Sequence, residues 1–287
     1  MHPFRHLILM TLLGATLVNC APAPCLAQPP AVDPDSLHAQ VRVVPEFIPL
    51  ARGTTSWIAF HFEITPHWHL YWNGINDSGF PPEVRAYLPE GFVLGEPLWP
   101  VPRRLLSPGP ILDHVYEESL TLLYPLTIPE DAPATVSAGF KVDWLACHEV
   151  CIPEGDSLAI DLDLSDTRGR PSDETLFRAA RERLPETSGD PGFTLQVEAD
   201  ADTFGVRLEM NDSGAAQGRP EIAGITFFPG PDCSPPIDPG STTQAQGRLL
   251  NLRLIGEQGT ARLAGLLQVT RRDRSTQAWK IDRLLQP

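Results

Sequence analysis

The stretch "TVSAGFKVDWLACHEVCIPEGDSLAIDLDL", residues 135–164, contains two runs of alternating polar and apolar residues on either side of a pair of cysteines. The apolar members of the two runs are Val136, Ala138, Phe140, Val142, Trp144 and Ala146, then Leu158, Ile160, Leu162 and Leu164. A period of two is typical of strands that bury one face. The pattern therefore predicts a β-hairpin whose connection is residues 147–156.

Short runs with the same alternation, separated by Pro, Gly, Asn or Asp, are found along most of the chain. Ahead of the hairpin they occupy residues 37–47, 55–65, 69–74, 82–88, 92–99 and 115–128. Behind it they occupy residues 193–199, 204–210, 224–229, 248–256, 261–270 and 276–284. Together with the hairpin, the first group favours an antiparallel β-sandwich, and the second group favours a smaller β unit. The sequence therefore predicts an all-β protein.

The alternation stops between the two groups of strands. Ser172 or Asp173 is positioned there to cap a short helix, and Pro185 is positioned to end it. The expected parts of the chain are a first β domain, a helical linker and a second, smaller β domain, over residues 28–164, 165–192 and 193–287.

The start of the chain has the pattern of an export signal. Arg5 precedes the apolar run 7–18, and the small residues after this run favour cleavage behind Ala27. A lipid anchor on Cys20 is the alternative. The run is too short for a bilayer, and no later stretch reaches the roughly 18 apolar residues that a membrane helix needs. We therefore expect residues 1–27 to be a signal peptide and the exported protein not to span a membrane.

The charge of the protein argues against two classes of partner. The formal charge is −14, and removal of the signal peptide takes away one arginine and no acidic residue, which leaves −15. Such a surface repels nucleic acid and anionic lipid. The chain also has no G-x-S-x-G, no H-E-x-x-H and no Gly-rich phosphate loop, so hydrolase and nucleotide chemistry have no support. We expect neither a cofactor nor a bound metal.

Three cysteines remain after processing, Cys147, Cys151 and Cys233. A straight strand would separate the first two Cα atoms by roughly 13 Å, beyond the ~4.4–6.8 Å that a disulfide allows, so the chain must turn between them. A bond there closes a small loop and removes little entropy from the unfolded chain. Three interpretations stay open: a redox dithiol, a structural bridge, or a metal clamp to which His148 or residues 67–69 add ligands. Cys233, which lies between prolines, is expected to be an unpaired loop thiol.

The alternation also suggests which sulfur is easier to reach. It places Cys147 on the polar face of its strand, with Lys141 and Asp143. Cys151 is followed by Ile152 and a proline, whose apolar character is expected to hold it near the body of the domain. We therefore expect Cys147 to be the more accessible sulfur.

Three stretches carry a resemblance to a known family. They are "DWLACHEVCIPE" (143–154), "HWHLYWNGINDSGFPPEV" (67–84) and "LPEGFVLGEPLWPVPRR" (88–104). They resemble the N-terminal periplasmic domain of the DsbD-type protein-disulfide reductases, in particular the long, ScsB-like variety. The second half, with "GITFFPGPDCSPPID" (224–238), is similar to the additional β domain of that variety. The turn "NGINDSG" (73–79) differs from the family's Asn-Pro-Gly-Asp-Ser-Gly, which we expect to alter a loop only.

This resemblance implies an immunoglobulin-like sandwich in which Cys147 and Cys151 are the catalytic pair of a thiol-disulfide oxidoreductase. The family uses this pair to pass electrons from a membrane-embedded domain to exported thiol proteins, including those of cytochrome c biogenesis. This chain stops at Pro287 without membrane helices or a thioredoxin-like domain. We therefore expect a separate membrane electron donor of the DsbD or CcdA kind, and thioredoxin-like periplasmic partners. The alternatives are a copper-tolerance protein that binds copper with the same cysteines, and an immunoglobulin-like binding module without redox activity.

Overall fold

The computed structural model describes residues 37–109, 111–187, 192–200, 202–211, 220–238, 240–256 and 261–285. The predicted signal peptide, and with it Cys20, lies outside the described residues. Across the ranges that are described, no helix is long and apolar enough to cross a membrane.

Two four-stranded sheets form the first sandwich. The strands of this part of the chain are β1 (Ala39–Pro45), β2 (Phe47–Ile48), β3 (Leu50–Ala51), β4 (Thr55–Ile64), β5 (Leu70–Tyr71), β6 (Glu83–Tyr87), β7 (Val93–Leu94), β8 (Arg103–Ser107), β9 (Ile111–Tyr116), β10 (Ser119–Thr127), β11 (Thr135–Cys147), β12 (Cys151–Ser165) and β13 (Arg170–Pro171). The two sheets have the strand orders β1-β4-β10-β7 and β3-β12-β11-β6. Strand pairing is antiparallel apart from the short contact of β12 with β3, so the predicted antiparallel sandwich is confirmed.

Aromatic side chains fill the space between these two sheets. The ring of Phe60 on β4 lies 5.1 Å from that of Phe140 on β11, and Phe62 lies 5.6 Å from Trp144. All four side chains are buried, and burial of each contributes roughly 1.5–3 kcal/mol to folding. The alternation along β11 therefore points its apolar face at this core, as the sequence predicts.

A second, smaller sandwich follows. Its strands are β14 (Phe193–Ala199), β15 (Thr203–Met210), β16 (Ile222–Pro229), β17 (Gln244–Gln246), β18 (Leu249–Ile255), β19 (Ala261–Arg271) and β20 (Thr276–Leu285). They form sheets of order β14-β15-β18 and β17-β16-β19-β20, with a separate apolar core that contains Phe204, Leu252 and Phe227. The predicted all-β fold is thus confirmed for both halves of the chain.

The predicted helix is also present, as α1 (Glu174–Glu182). Of the two candidate caps, Asp173 is the one used, because its Oδ1 accepts a hydrogen bond of 3.0 Å from the backbone N–H of Leu176. Phe177 and Ala180 pack against Leu123 of β10 on the outer face of the first sandwich. The predicted linker therefore contains a helix that is docked on the first sandwich.

A third sheet, of order β5-β9-β8, is the main feature that the strand prediction missed. The predicted strand 115–128 is in fact two strands in two sheets, because the chain turns at Glu118, whose φ is +62°. The predicted strand 92–99 shrinks to β7, since Pro97 and Pro100 have no N–H group to donate to a neighbouring strand. The extra sheet covers one end of β11 and sets the surroundings of the cysteine pair.

Candidate functional site

The cysteine pair joins the two strands at the tip of the β11–β12 hairpin. Cys147 and Cys151 are directly opposite each other in the register, with their Cα atoms 4.1 Å apart, and their sulfurs form a disulfide. The turn between them is residues 148–150, so the predicted connection of 147–156 is too long. It is shorter because β12 starts at Cys151 and pairs with β11 without interruption. The turn that the spacing demanded is therefore tight, and the two sulfurs meet across it.

The two sulfurs differ sharply in exposure, in the opposite sense to our expectation. Cys147 is 1% exposed, whereas Cys151 is exposed. Cys147 does lie on the face of β11 that the alternation indicates, but Tyr71 and Val115 of the third sheet cover this face at the tip. The backbone of Cys147 is paired with that of His69 by two hydrogen bonds of 2.9 and 3.0 Å. A partner protein can therefore reach Cys151 more easily than Cys147.

A tyrosine hydroxyl lies beside the exposed sulfur. The Tyr71 hydroxyl oxygen is 3.6 Å from Cys151 Sγ and 3.1 Å from Ser78 Oγ. Ser78 Oγ in turn donates a hydrogen bond of 2.5 Å to Asp113 Oδ2, and Asp113 is buried. Burial raises the pKa of Tyr71, so this phenol keeps its proton at neutral pH. Tyr71, Ser78 and Asp113 form a short hydrogen-bonded chain whose hydroxyl end lies beside the disulfide.

Histidines surround the other side of the hairpin tip. His148 in the turn is exposed, and its ring centre lies 6.1 Å from those of His67 and Trp68. His69 is buried, and this burial lowers its pKa. Among the residues that the structure describes, no three His, Cys, Asp or Glu side chains are grouped as a metal site.

A buried carboxylate fixes the hairpin close to its tip, where Glu154 is opposite Trp144. Glu154 accepts hydrogen bonds from Trp144 Nε1 at 2.8 Å, from the backbone N–H of His38 at 2.9 Å and from that of Ala39 at 3.3 Å. His38 Nδ1 makes an additional contact with this carboxylate, 2.6 Å from Oε1 of Glu154. Glu154 therefore fastens the start of β1 to the β11–β12 hairpin.

Sequence reasoning missed four of these residues: Tyr71, Ser78, Asp113 and Glu154. Glu154 had a detectable signal, since an acidic residue stands at an inward position of β12, where the pattern calls for an apolar one. Tyr71 and Asp113 had none, because their place beside Cys151 depends on the packing of the third sheet. The remaining thiol, Cys233, is unpaired as predicted, and it is buried in the core of the second sandwich.

Comparison with known proteins agrees with this geometry. A family model described as "Thiol:disulfide interchange protein DsbD, N-terminal" matches residues 38–162. Among the solved structures, the N-terminal periplasmic domain of ScsB from Proteus mirabilis matches with 18% identity and a TM-score of 0.58, over 88% of this chain and 96% of that chain. The major pilin subunit BcpA of Bacillus cereus matches over 86% of this chain and 67% of that chain, at 10% identity and with a TM-score of only 0.25. A search of the curated proteins found no match.

The two informative matches cover different lengths of the chain. The family model stops at residue 162, within β12, whereas the shared fold with the ScsB domain extends far into the second half. At 18% identity the structural match indicates a shared fold only. Residues 38–162 therefore resemble a DsbD-type N-terminal domain, with the hairpin disulfide inside the matched stretch.

Proposed function

We propose that the protein is a periplasmic thiol-disulfide exchange protein whose catalytic residues are Cys147 and Cys151. It receives reducing equivalents from a membrane electron donor and passes them to thioredoxin-like exported proteins. One observation carries the proposal: an exposed sulfur, Cys151, is bonded to a buried one beneath a tyrosine hydroxyl. The match of residues 38–162 to a thiol:disulfide interchange family supports it.

The exchange starts at the exposed sulfur. A thiolate of the reduced donor attacks Cys151 Sγ, the bond between the two cysteines breaks, and Cys147 leaves as a thiolate that takes up a proton. The second thiol of the donor then attacks the mixed disulfide and releases Cys151. The donor is oxidised to a disulfide, and the pair gains two electrons and two protons. The reduced pair repeats these steps in reverse on the disulfide of its target.

Tyr71 is suited to assist at Cys151. Ser78 donates its own proton to Asp113, so its oxygen is free to accept the proton of the Tyr71 hydroxyl. When Cys151 becomes a thiolate it is a far better acceptor than a disulfide sulfur, and the hydroxyl can turn towards it. This hydrogen bond stabilises the thiolate and therefore lowers the pKa of the thiol.

A trapping experiment tests the assignment of the two sulfurs. All variants carry Cys233→Ser, so that only the pair reacts. The Cys147→Ser variant, with Cys151 activated as its thionitrobenzoate disulfide, is mixed with a thioredoxin that lacks its resolving cysteine. We expect a stable mixed disulfide, measured by non-reducing electrophoresis and mass spectrometry. The matched Cys151→Ser variant, activated at the buried Cys147, is expected to react far more slowly.

Two other outcomes of this experiment would change the proposal. Faster capture through Cys147 would reverse the assignment of the sulfurs. If neither variant captured the thioredoxin, and the native disulfide also resisted reduced thioredoxin, the exchange function would be wrong. Tight binding of Cu(I) by a reduced pair without exchange would then favour the copper-tolerance alternative.

We also propose that the chain is divided into two domains, residues 28–164 and 193–287, with a linker over 165–192. Each sandwich has an apolar core of its own, which supports this division, and Phe228 and Leu266 of the second sandwich pack against the first core. Limited proteolysis is expected to cut within the linker and to release two folded fragments. Resistance of the whole chain to cleavage would argue for one cooperative unit.

A further inference from the structure

Residues 73–79, which we call the junction loop, touch both sandwiches. At one end the backbone N–H of Ile75 donates a hydrogen bond of 2.9 Å to the carbonyl of Pro229, at the end of β16. The Ile75 side chain packs against the apolar core of the second sandwich. The loop comes so close here that a Cβ on Gly74 would lie 2.6 Å from the Pro229 carbonyl oxygen. One end of the loop is thus held by the second sandwich.

The middle of the junction loop is held by hydrogen bonds to the third sheet. Asn76 donates from Nδ2 to the carbonyl of Trp72 at 2.9 Å and accepts at Oδ1 from the backbone N–H of His114 at 2.8 Å. His114 Nδ1 is 2.8 Å from the carbonyl of Ile75. Burial lowers the pKa of His114 to about 4, so the neutral ring donates this bond at neutral pH. These contacts leave the loop little freedom to move independently of its ends.

The other end of the junction loop lies on the redox site. The backbone N–H groups of Asp77 and Ser78 each donate a hydrogen bond of 3.0 Å to Asp113 Oδ1. Ser78 Oγ contacts the Tyr71 hydroxyl, which is the group beside Cys151 Sγ. A Cβ on Gly79 would lie 2.2 Å from the Tyr71 ring, so the loop rests directly on this ring. The orientation of Tyr71 therefore depends on where the loop lies.

We propose that the second sandwich positions the Tyr71 hydroxyl on Cys151 through the junction loop, with Ile75 as the positioning residue. This inference rests on the proposed exchange function and assigns a role in it to the second sandwich. The physical reason is the steep dependence of hydrogen bonds on distance and angle. The hydroxyl oxygen is 3.6 Å from the sulfur, so a small shift of the loop changes how well it stabilises a thiolate.

The test compares two isoleucines that both pack against the core of the second sandwich, Ile75 and Ile237. Ile75 belongs to the junction loop, whereas Ile237 pairs with Leu254 within the second sandwich. Each is changed to Ala in a full chain that carries Cys147→Ser and Cys233→Ser, so that Cys151 is the reactive thiol. The rate of alkylation by iodoacetamide is measured from pH 5 to 10, and thermal melting checks that each variant is folded.

We expect Ile75→Ala to slow alkylation at pH 7 about three- to tenfold, as for a mutation that acts through a packed network, and to move the pH profile upward. Ile237→Ala is expected to leave the profile unchanged, although both variants lose an equal volume of apolar side chain. Ile75→Val, which keeps most of the packing, is expected to give the same pH profile of alkylation as Ile at this position. In a Tyr71→Phe background, Ile75→Ala is expected to have no further effect.

Equal shifts in Ile75→Ala and Ile237→Ala would overturn the proposal, because they would indicate a general effect of destabilisation. An unchanged profile in Ile75→Ala, or an undiminished effect in Tyr71→Phe, would overturn it as well. These results are distinguishable from failure of the exchange function, which is measured on the native pair with reduced thioredoxin. A native protein without exchange overturns both proposals.

Discussion

The two sandwiches place their cysteines in opposite environments, one exposed and one buried. In the first, the hairpin tip carries Cys151 to the surface, beside a tyrosine hydroxyl. In the second, Cys233 is 6% exposed within the apolar core, and this burial raises the pKa of its thiol. Both are cysteines of one small β protein, so residue type alone does not make a reactive sulfur. Reactivity depends on exposure together with a donor that stabilises the thiolate.

The two sandwiches also differ in whether they bury acidic side chains. Asp113 and Glu154 are both buried, and both lie in the first half, close to the redox hairpin. Among the described residues of the second sandwich, no Asp or Glu is buried to this degree. Burial of an acidic side chain is costly unless hydrogen bonds satisfy it. Hydrogen bonds satisfy both groups, since Asp113 accepts from the backbone N–H groups of Asp77 and Ser78, and Glu154 accepts from Trp144 Nε1.

The largest expected effect is on the carboxylate that anchors the hairpin. Glu154→Ala leaves the indole N–H of Trp144 and the backbone N–H groups of His38 and Ala39 without acceptors, so we expect a loss of about 3 kcal/mol in the free energy of unfolding. The control in the second sandwich is Glu209→Ala, whose exposed ion pair with Arg248 is expected to contribute under about 1 kcal/mol. Urea denaturation measures both. Equal losses would contradict the contrast between the two halves.

The next effect is a pH dependence of the free energy of unfolding, which is caused by His114 beside the junction loop. The pKa of His114 is about 4 in the folded protein against 6.5 in the unfolded chain. The unfolded state therefore takes up a proton first as the pH falls, so the stabilisation is complete above pH 6.5 and is lost towards pH 4. We expect the free energy of unfolding to decrease by about 3 kcal/mol across this window.

His114→Asn is the matched control for this pH dependence, since an amide can keep the bond to Ile75 without titrating. Denaturation at several pH values is expected to give a shallower slope for this variant than for the wild type. His61 and His69 also have pKa values lowered by burial, so some slope remains in the variant. Identical slopes in the two proteins would show that His114 is not the titrating group.

The next effect is a difference in reactivity between the thiols of Cys151 and Cys233. It is expected to correspond to a somewhat smaller free energy than the two effects above. In the reduced native protein, iodoacetamide is expected to modify Cys151 at least about a hundredfold faster than Cys233, because a buried thiol reacts only when the structure opens locally. Mass spectrometry of tryptic peptides over time measures both rates in one sample. In urea the two rates are expected to converge. A fast reaction at Cys233 under native conditions would remove the distinction between the sandwiches.

The smallest effect is expected from the hydroxyl beside Cys151. Tyr71→Phe keeps the ring that packs on Gly79 and removes one hydrogen bond, so we expect the exchange rate with thioredoxin to fall about tenfold, which corresponds to about 1.4 kcal/mol. Stability is expected to change much less. Tyr87→Phe, on an exposed tyrosine of β6, is the control and is expected to exchange at the wild-type rate. If Tyr71→Phe does so too, the hydroxyl has no part in the reaction.

Local pattern was enough to predict most of the strands and the turn between the two cysteines. The β11–β12 hairpin follows from an alternation that continues through both strands, and the helix follows from the cap at Asp173. The third sheet was not predictable in this way. Its strand β9 runs straight on in sequence towards β10, and only the left-handed turn at Glu118 sends the two into different sheets.

The sequence by itself determined the all-β fold, the position of the redox pair and the family resemblance, because period-two alternation and a compact motif are local properties. Only the tertiary structure decided which sulfur faces solvent. The alternation assigns Cys147 to one face of β11, but whether that face is covered depends on Tyr71 and Val115, which are distant in sequence. The same holds for the hydroxyl on Cys151 and for the junction loop, since both arise where separate sheets pack together. The burial of a side chain depends on the residues that pack around it, and the residues around this hairpin come from distant parts of the chain.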